Sequence, residues 1–293
     1  MRIGKFVLGF CVLVLARVSV VIAAAPVVTF KFKDIIVTGA HATYANGIND
    51  AGVIVGAYID SVGTWHGMAL HGSKVTTIDH PNSSATACYG INSSAVIVGS
   101  YTTPSGVITG FEFSAGTFTD VRPPASLTST ATGINDDGKI VGYFLDSAEF
   151  EHGFVFDGHK KYTQIDAPGG DFVTQAWGIN NDDHITLSAS SGLRADSFLL
   201  IGKKFTKLSD PNEGKYGTIV GSLNNRGEIV GFYIDDTGFH THGWLLSKGA
   251  YYTVDDPKAA TTSVSGINDE LRIVGTYETS SGGPTGFEAI PKK

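Results

Sequence analysis

One phrase returns six times along this chain: Gly-Ile-Asn or a close variant, a short polar stretch, then Ile-Val-Gly or its equivalent. The matching asparagines are Asn49, Asn92, Asn135, Asn180, Asn224 and Asn268, so successive copies are 43, 43, 45, 44 and 44 residues apart. A fixed period of this size is the mark of one supersecondary unit copied in tandem. Residues present in every copy are those the unit needs in order to fold, so departures from the pattern are where a site is to be sought.

The third copy serves as a template. Residues 129–135, 139–145, 152–156 and 162–166 form four short β-rich runs, each bounded by Gly, Asp, Asn or Pro. Asn135-Asp-Asp-Gly138 between the first two has the composition of a hairpin turn whose last residue needs positive φ. Residues 146–149 join the second run to the third, and Asp157-Gly158 joins the third to the fourth, as Gly72, Gly202 and Gly249 do elsewhere. Four antiparallel strands in about 44 residues is the size of one propeller blade. The expected fold is all-β, a six-bladed β-propeller of four-stranded antiparallel blades.

The two ends of the repeat array are complementary. The last copy stops at 285–289, after its third strand, while 30–35 is a strand-like run with no blade of its own. Phe32 precedes Gly47 by 15 residues, as Phe118 precedes Gly133. The N-terminal run is therefore expected to complete the last blade and close the ring, pairing two edges that would otherwise stay open. A linear β-solenoid, the alternative, needs no such complementarity and calls for atypical caps.

Upstream of the array, Arg2 and Lys5 precede an apolar run from Phe6 to Ala16, and Ala23, Ala24 and Ala25 offer small residues for cleavage. This is a signal-peptide layout, and Arg17 ends the run short of a membrane span. Residues 1–25 are read as a signal peptide and 26–293 as one domain, secreted to an extracellular or periplasmic space, with no membrane span after cleavage. Cleavage removes three cations, taking the basic count from 21 to 18 against 28 acidic residues and the formal charge from −7 to −10. A surface of that sign disfavours nucleic acid as a partner. Cys88 would be the one thiol left, without a disulfide partner, and a monomer is expected.

Repeated chemistry reads as scaffold. Thr43, Ala45 and Gly47, like Ser129, Ala131 and Gly133, are small enough for neighbouring sheets to approach near the axis. Ile54-Val55-Gly56 and its copies are core rather than a cofactor box. The Asn-Asp-x-Gly turns lack the alternating acidic ligands and distal Glu of a calcium loop. Asp79, Asp120, Asp166, Asp210 and Asp256, near prolines between blades, read as loop-capping acceptors. His66, His152 and His242 recur in alternate copies, 86 and 90 residues apart, and read as structural histidines bonded to turns. No metal, cofactor or catalytic set is assigned.

His-Gly-Phe in the third run, Gly-Ile-Asn-Asp and Ile-Val-Gly-x-Tyr together resemble the HAF family of bacterial extracellular repeats, whose units carry His-Ala/Gly-Phe and Ile-Asn-x-x-Gly-x-Val-Gly. The resemblance spans all six copies. Thr163-Gln-Ile-Asp-Ala-Pro168 departs from the Asp-Leu-Gly segment usual there. It implies a secreted propeller-like repeat protein and carries no catalytic residues with it.

Two departures from the pattern stand out. The fourth copy has Ile185-Thr-Leu-Ser188 for Ile-Val-Gly and Asp196-Ser197 for His-Gly, and introduces Trp177, His184 and Arg194. In the first runs, Tyr44, Asn46, Tyr89, Gln175 and Trp177 are variable aromatics and amides, residue types that stack on and hydrogen-bond to sugar rings. They are the ligand-binding candidates. The expected function is a non-catalytic binding module for a polysaccharide or an extracellular protein. The alternatives are a hydrolase or lyase at the channel mouth using Asp182, Asp183 and His184, and a purely structural surface repeat.

Overall fold

A computed structural model describes residues 28–292 other than 160, 171, 191, 238 and 239. The signal segment expected at 1–25 lies outside the described residues. Among these residues there are twenty-four β-strands and no helix, so none is long and apolar enough to cross a membrane. The first repeat runs through strands Ala42–Ile48, Ile54–Ile59, Trp65–His71 and Lys74–Ile78, each antiparallel to the one before. Later repeats follow the same order. Two sheets have four strands, and two have eight, each of the latter being two repeats joined by one parallel pair, Trp65↔Ala85 or Glu151↔Val173.

In the last repeat the fourth place is filled from the other end of the chain. Strand Phe30–Ile35 lies antiparallel to Thr285–Pro291, from Phe30↔Pro291 to Ile35↔Gly286. The side chains agree with this assignment. The Tyr277 hydroxyl donates to Asp34, as Tyr101 donates to Asp120 within the second repeat.

The recurring asparagine connects one repeat to the next. Asn49 Nδ2 donates to the carbonyl of Asn92 at 3.0 Å, Asn92 to Asn135 at 3.1 Å, Asn135 to Asn180 at 3.2 Å, and Asn180 to Asn224 at 3.2 Å. Asn224 then donates to Asn268 at 3.0 Å, and Asn268 back to Asn49 at 3.1 Å. The other end of each amide faces inward on its own turn. The Oδ1 of Asn49 accepts from Val53 N–H, and Asn135 Oδ1 from Lys139 N–H. One side chain thus closes its own hairpin and holds the neighbouring one, and the six bonds form a closed cycle.

The cycle needs backbones in near contact, which explains the glycine two residues earlier in five of the six repeats, Ser222 standing there in the fifth. A Cβ on Gly47 would sit 2.5 Å from the Tyr89 carbonyl oxygen, and one on Gly133 would sit 2.9 Å from that of Trp177. At the end of the turn the expected positive φ is found at Gly52, Gly138 and Gly227, but Ala95, Asp183 and Leu271 adopt it in the other three repeats. A left-handed non-glycine residue costs roughly 1–2 kcal/mol. Half of the turns therefore hold a strained residue that the asparagine bonds keep in place.

Between the sheets, the Ile-Val pair of the second strand is buried in the five repeats that have it, as at Ile54, Val55, Ile140 and Val141. The glycine after them makes room for an aromatic ring from the third strand. A Cβ on Gly99 would meet Phe111 at 2.7 Å, and one on Gly231 would meet Trp244 at 2.6 Å.

Replacing Asn135 with Ala removes the bonds to Asn180 and Lys139, leaving the half-buried Lys139 N–H without its acceptor and the Asn180 carbonyl with the Asp183 N–H alone. An unpaired buried group costs about 1–3 kcal/mol, so Asn135→Ala is expected to lower stability by about 1–3 kcal/mol in denaturant unfolding. Asn135→Asp, which keeps the acceptor and loses the donor, should fall between it and the parent.

Candidate functional site

Each innermost strand carries a β-bulge, and the bulges define what faces the axis. Pairing jumps between Ala45 and Gly47, Cys88 and Gly90, Ala131 and Gly133, Ala176 and Gly178, Val220 and Leu223, and Val264 and Gly266. The extra residue leaves the alternation of the strand and is re-aimed. These residues are Asn46, Tyr89, Thr132, Trp177, Gly221 with Ser222, and Ser265. All of them line a central cavity of about 450 Å³. The strict alternation assumed for the first strand therefore stops at the bulge.

The wall is uneven. Tyr89 and Trp177 bring rings from the second and fourth repeats, and Tyr143 lies beside them, its ring 5.9 Å from that of Trp177. Burial, with the neighbouring Tyr89, pushes the Tyr143 hydroxyl up to about 12, and burial also raises Tyr89. Across the axis, Gly221, Ser222, Ser265 and Asn46 are small or polar. Some polar groups are already engaged: Asn46 Nδ2 donates to the Cys88 carbonyl at 2.9 Å, and Thr132 Oγ1 to that of Ala176 at 2.7 Å. Both bonds tie one repeat to the next. Gln175 Nε2 donates to Glu151 at 2.7 Å. Of the five sequence candidates, Asn46, Tyr89, Gln175 and Trp177 line the cavity, whereas Tyr44 stands outside it, stacked on Trp65 at 5.0 Å. Sequence reasoning did not find Phe232, Ser188 or Ser222, which also line it. Counting three residues back from each repeated asparagine would have found the bulge column.

In the fourth repeat, volume has been moved rather than lost. Leu187 takes the place of the glycine at 56, 99, 142, 231 and 275, and Ala189 the place of Tyr58, Tyr101, Phe144, Tyr233 and Tyr277. With Leu187 in the core beside Ala176 and Ile185, Phe198 cannot lie where Phe154 lies in the third repeat. It packs instead on Ala189 and Ala167, where the other repeats have their aromatic residue. Ser197, also in place of glycine, accepts from Val220 N–H and donates to the Thr218 carbonyl, binding the fourth repeat to the fifth.

Two of the three acid–base candidates share a pocket, and it is not the central one. Asp182 and Asp183 line a separate cleft between the third and fourth repeats, where Lys139 and Asn135 bond Asp183. His184 contributes its backbone N–H to the Asn180 side chain. Among the described residues no cluster of His, Cys, Asp and Glu is arranged to hold a metal. Cys88 is fully buried, its thiol pushed up to about 12 chiefly by desolvation, so it is not a reactive nucleophile.

No protein-family model matches the chain, and no curated protein matches it. Solved structures do. A lectin from Aleuria aurantia in complex with Fucα1-6GlcNAc superposes with a TM-score of 0.55 at 10% identity, over 89% of this chain and 97% of the lectin. Virginiamycin B lyase from Staphylococcus aureus with quinupristin gives 0.51 at 11%, over 89% and 99%. TolB from Acinetobacter baumannii gives 0.53 at 11%, over 78% and 60%. At such identity the likeness establishes the fold alone. The chain is a β-propeller.

The recurring histidines form clamps on the face opposite the asparagine turns. His66 Nδ1 is 2.7 Å from Asp79 and its Nε2 is 3.3 Å from Asp60, while His152 is 2.6 Å from Asp166 and 3.3 Å from Asp146. His242 lies 2.8 Å from Asp255 and 3.7 Å from Asp235. Asp60 and Asp146 also cap the turns they begin, accepting from Thr64 and Phe150 N–H. The five aspartates grouped by sequence as loop caps thus fall into separate registers. Asp79 and Asp166 hold histidines, Asp120 accepts from the Tyr101 hydroxyl, and Asp210 and Asp256 cap turns at Asn212 and Lys258, the third histidine being held by Asp255 instead.

Partial burial lowers the imidazoles of His66 and His152, but the paired carboxylates outweigh it and leave both raised. Backbone N–H bonds, from Thr64 and Phe150 first, hold Asp60 and Asp146 low. A raised histidine stabilises the fold below its ordinary pKa and loses that contribution as pH rises through the folded value. A lowered aspartate stabilises above its ordinary pKa and loses the contribution as pH falls. Both contributions are complete between about pH 4 and pH 6.5. The melting temperature is expected to peak in that window and decline toward pH 8, and His152→Gln should flatten the decline.

Proposed function

We propose that this protein is a secreted, six-bladed propeller of the HAF-repeat kind, closed by its N-terminal strand, that binds carbohydrate in its central cavity without catalysing a reaction. The six-membered asparagine cycle and the pairing of Phe30–Ile35 with Thr285–Pro291 support the closed six-bladed form. One observation carries the binding reading: a cavity of about 450 Å³ that sets aromatic rings of the second, fourth and fifth repeats beside amide and hydroxyl groups. Stacking on a ring face while amides and hydroxyls meet the edge is how a site holds a sugar. That a propeller lectin of similar fold was solved with a fucosylated disaccharide is consistent with this use of the scaffold. A lyase of similar fold keeps the enzymatic alternative in view. Within the cavity of this chain, however, the ionisable carboxylates are Asp50, Asp136 and Asp269, whose Oδ1 atoms accept backbone N–H bonds from Asp269, Ser93 and Asn225.

Glycan-array screening followed by titration calorimetry tests this. Trp177→Ala is expected to weaken the best-bound oligosaccharide at least tenfold, corresponding to about 1.4 kcal/mol, with melting temperature as the control for folding. Absence of binding to any glycan, or conversion of a bound glycan into shorter products, would overturn the proposal.

A further inference from the structure

Beyond the asparagine turns and the bulge column, the cavity is extended on one side alone. In the first, second and third repeats its lining stops at Asn46, Tyr89 and Thr132. In the fourth it continues to Val173, Ser190 and Ala195. These three are mutually paired at the strand ends farthest from the Asn180 turn. Second-strand residues reach the lining only in the fourth and fifth repeats, through Ser188, Ala189, Ser190 and Phe232. The chain has kept Leu187, Ala189 and Phe198 mutually compensated, so this sector stays packed behind an opened wall.

Charge narrows what can enter. Among the described residues no Lys, Arg or His lines the cavity, and the ionisable carboxylates that do are at the asparagine end. A carboxylate or sulfate inside would lose its hydration without a counter-charge and would face like charges. Size narrows it further, because 450 Å³ is toward the small end of ligand pockets, roughly 300–1,000 Å³. Such a volume suits the end of a sugar chain rather than a stretch of its middle.

We infer that the cavity takes the uncharged terminus of a glycan end-on, entering between the fourth and fifth repeats from the face opposite the asparagine turns. This rests on the carbohydrate reading above. Ser188 guards the entrance. The equivalent position holds Tyr143 in the third repeat and Phe232 in the fifth, so the fold itself accepts an aromatic ring there.

The test uses the full chain on an array of glycans attached through their reducing ends, each neutral structure paired with its sialic-acid-capped form. The uncapped glycans are expected to bind and their capped partners to lose at least tenfold. Ser188→Tyr should lose at least tenfold on the same glycans while melting normally. Thr276→Tyr, in the same column of the sixth repeat and outside the lining, should bind as the parent does. Equal signals from capped and uncapped glycans overturn the uncharged terminus, a result the parent protein gives even if Ser188→Tyr does not fold. Undiminished binding by folded Ser188→Tyr overturns the entrance. Absence of binding by the parent removes the carbohydrate reading itself.

Discussion

Every repeat depends on one side-chain amide with two polar ends. In the closed cycle, the Oδ1 of each asparagine shapes its own hairpin while the Nδ2 bonds the backbone of the next. Aspartate could do the first and not the second, and serine would be too short to span to the neighbouring backbone while also closing its turn. Because the bonds run head to tail and return to Asn49, no repeat is terminal and each turn is held from both sides. The glycine two residues earlier follows from the reach of that side chain, which brings neighbouring backbones to within about a Cβ radius of one another.

The parts of the fold set by this contact could be read from the residues. The period gave the copies, the orphan run at 30–35 gave the partner of the last sheet, and Gly52, Gly138 and Gly227 marked turns. Other features depend on forces that composition does not display. Ala95, Asp183 and Leu271 show no sign of positive φ, because tertiary bonding holds a conformation their own preferences oppose. Asp255, not Asp256, pairs with His242, since adjacent aspartates differ only in which side of the strand they face. The bulges were hidden for the same reason: one inserted residue changes the direction of a side chain without changing its identity. That is why Asn46, Tyr89, Gln175 and Trp177 could be picked out as variable while their common orientation toward the axis could not.

A symmetric scaffold acquires a direction only by breaking its symmetry without losing its packing. Here Leu187, Ala189 and Phe198 do this together, each tolerable because of the others. An internal repeat that had merely drifted would be expected to leave voids or exposed apolar surface at these positions, yet Leu187 is 0% exposed and Phe198 7%. The added bonds through Ser197 and through Thr186 Oγ1 to the Gly221 carbonyl keep this sector attached to the fifth repeat.

The strand Phe30–Ile35 has a consequence for how the molecule comes to be folded. It is made before the other described strands and finds its partner, Thr285–Pro291, only after all of them. Contacts of such sequence separation form late, so throughout synthesis this strand is an open edge able to pair with another copy. Its sequence is suited to the wait: Lys31 and Lys33 stand between Phe30, Phe32 and Ile35, and both are exposed in the finished fold. Charge on an edge discourages pairing with a second molecule. In the finished sheet the same strand is the outer edge, so the two lysines guard one edge both before and after it finds its partner.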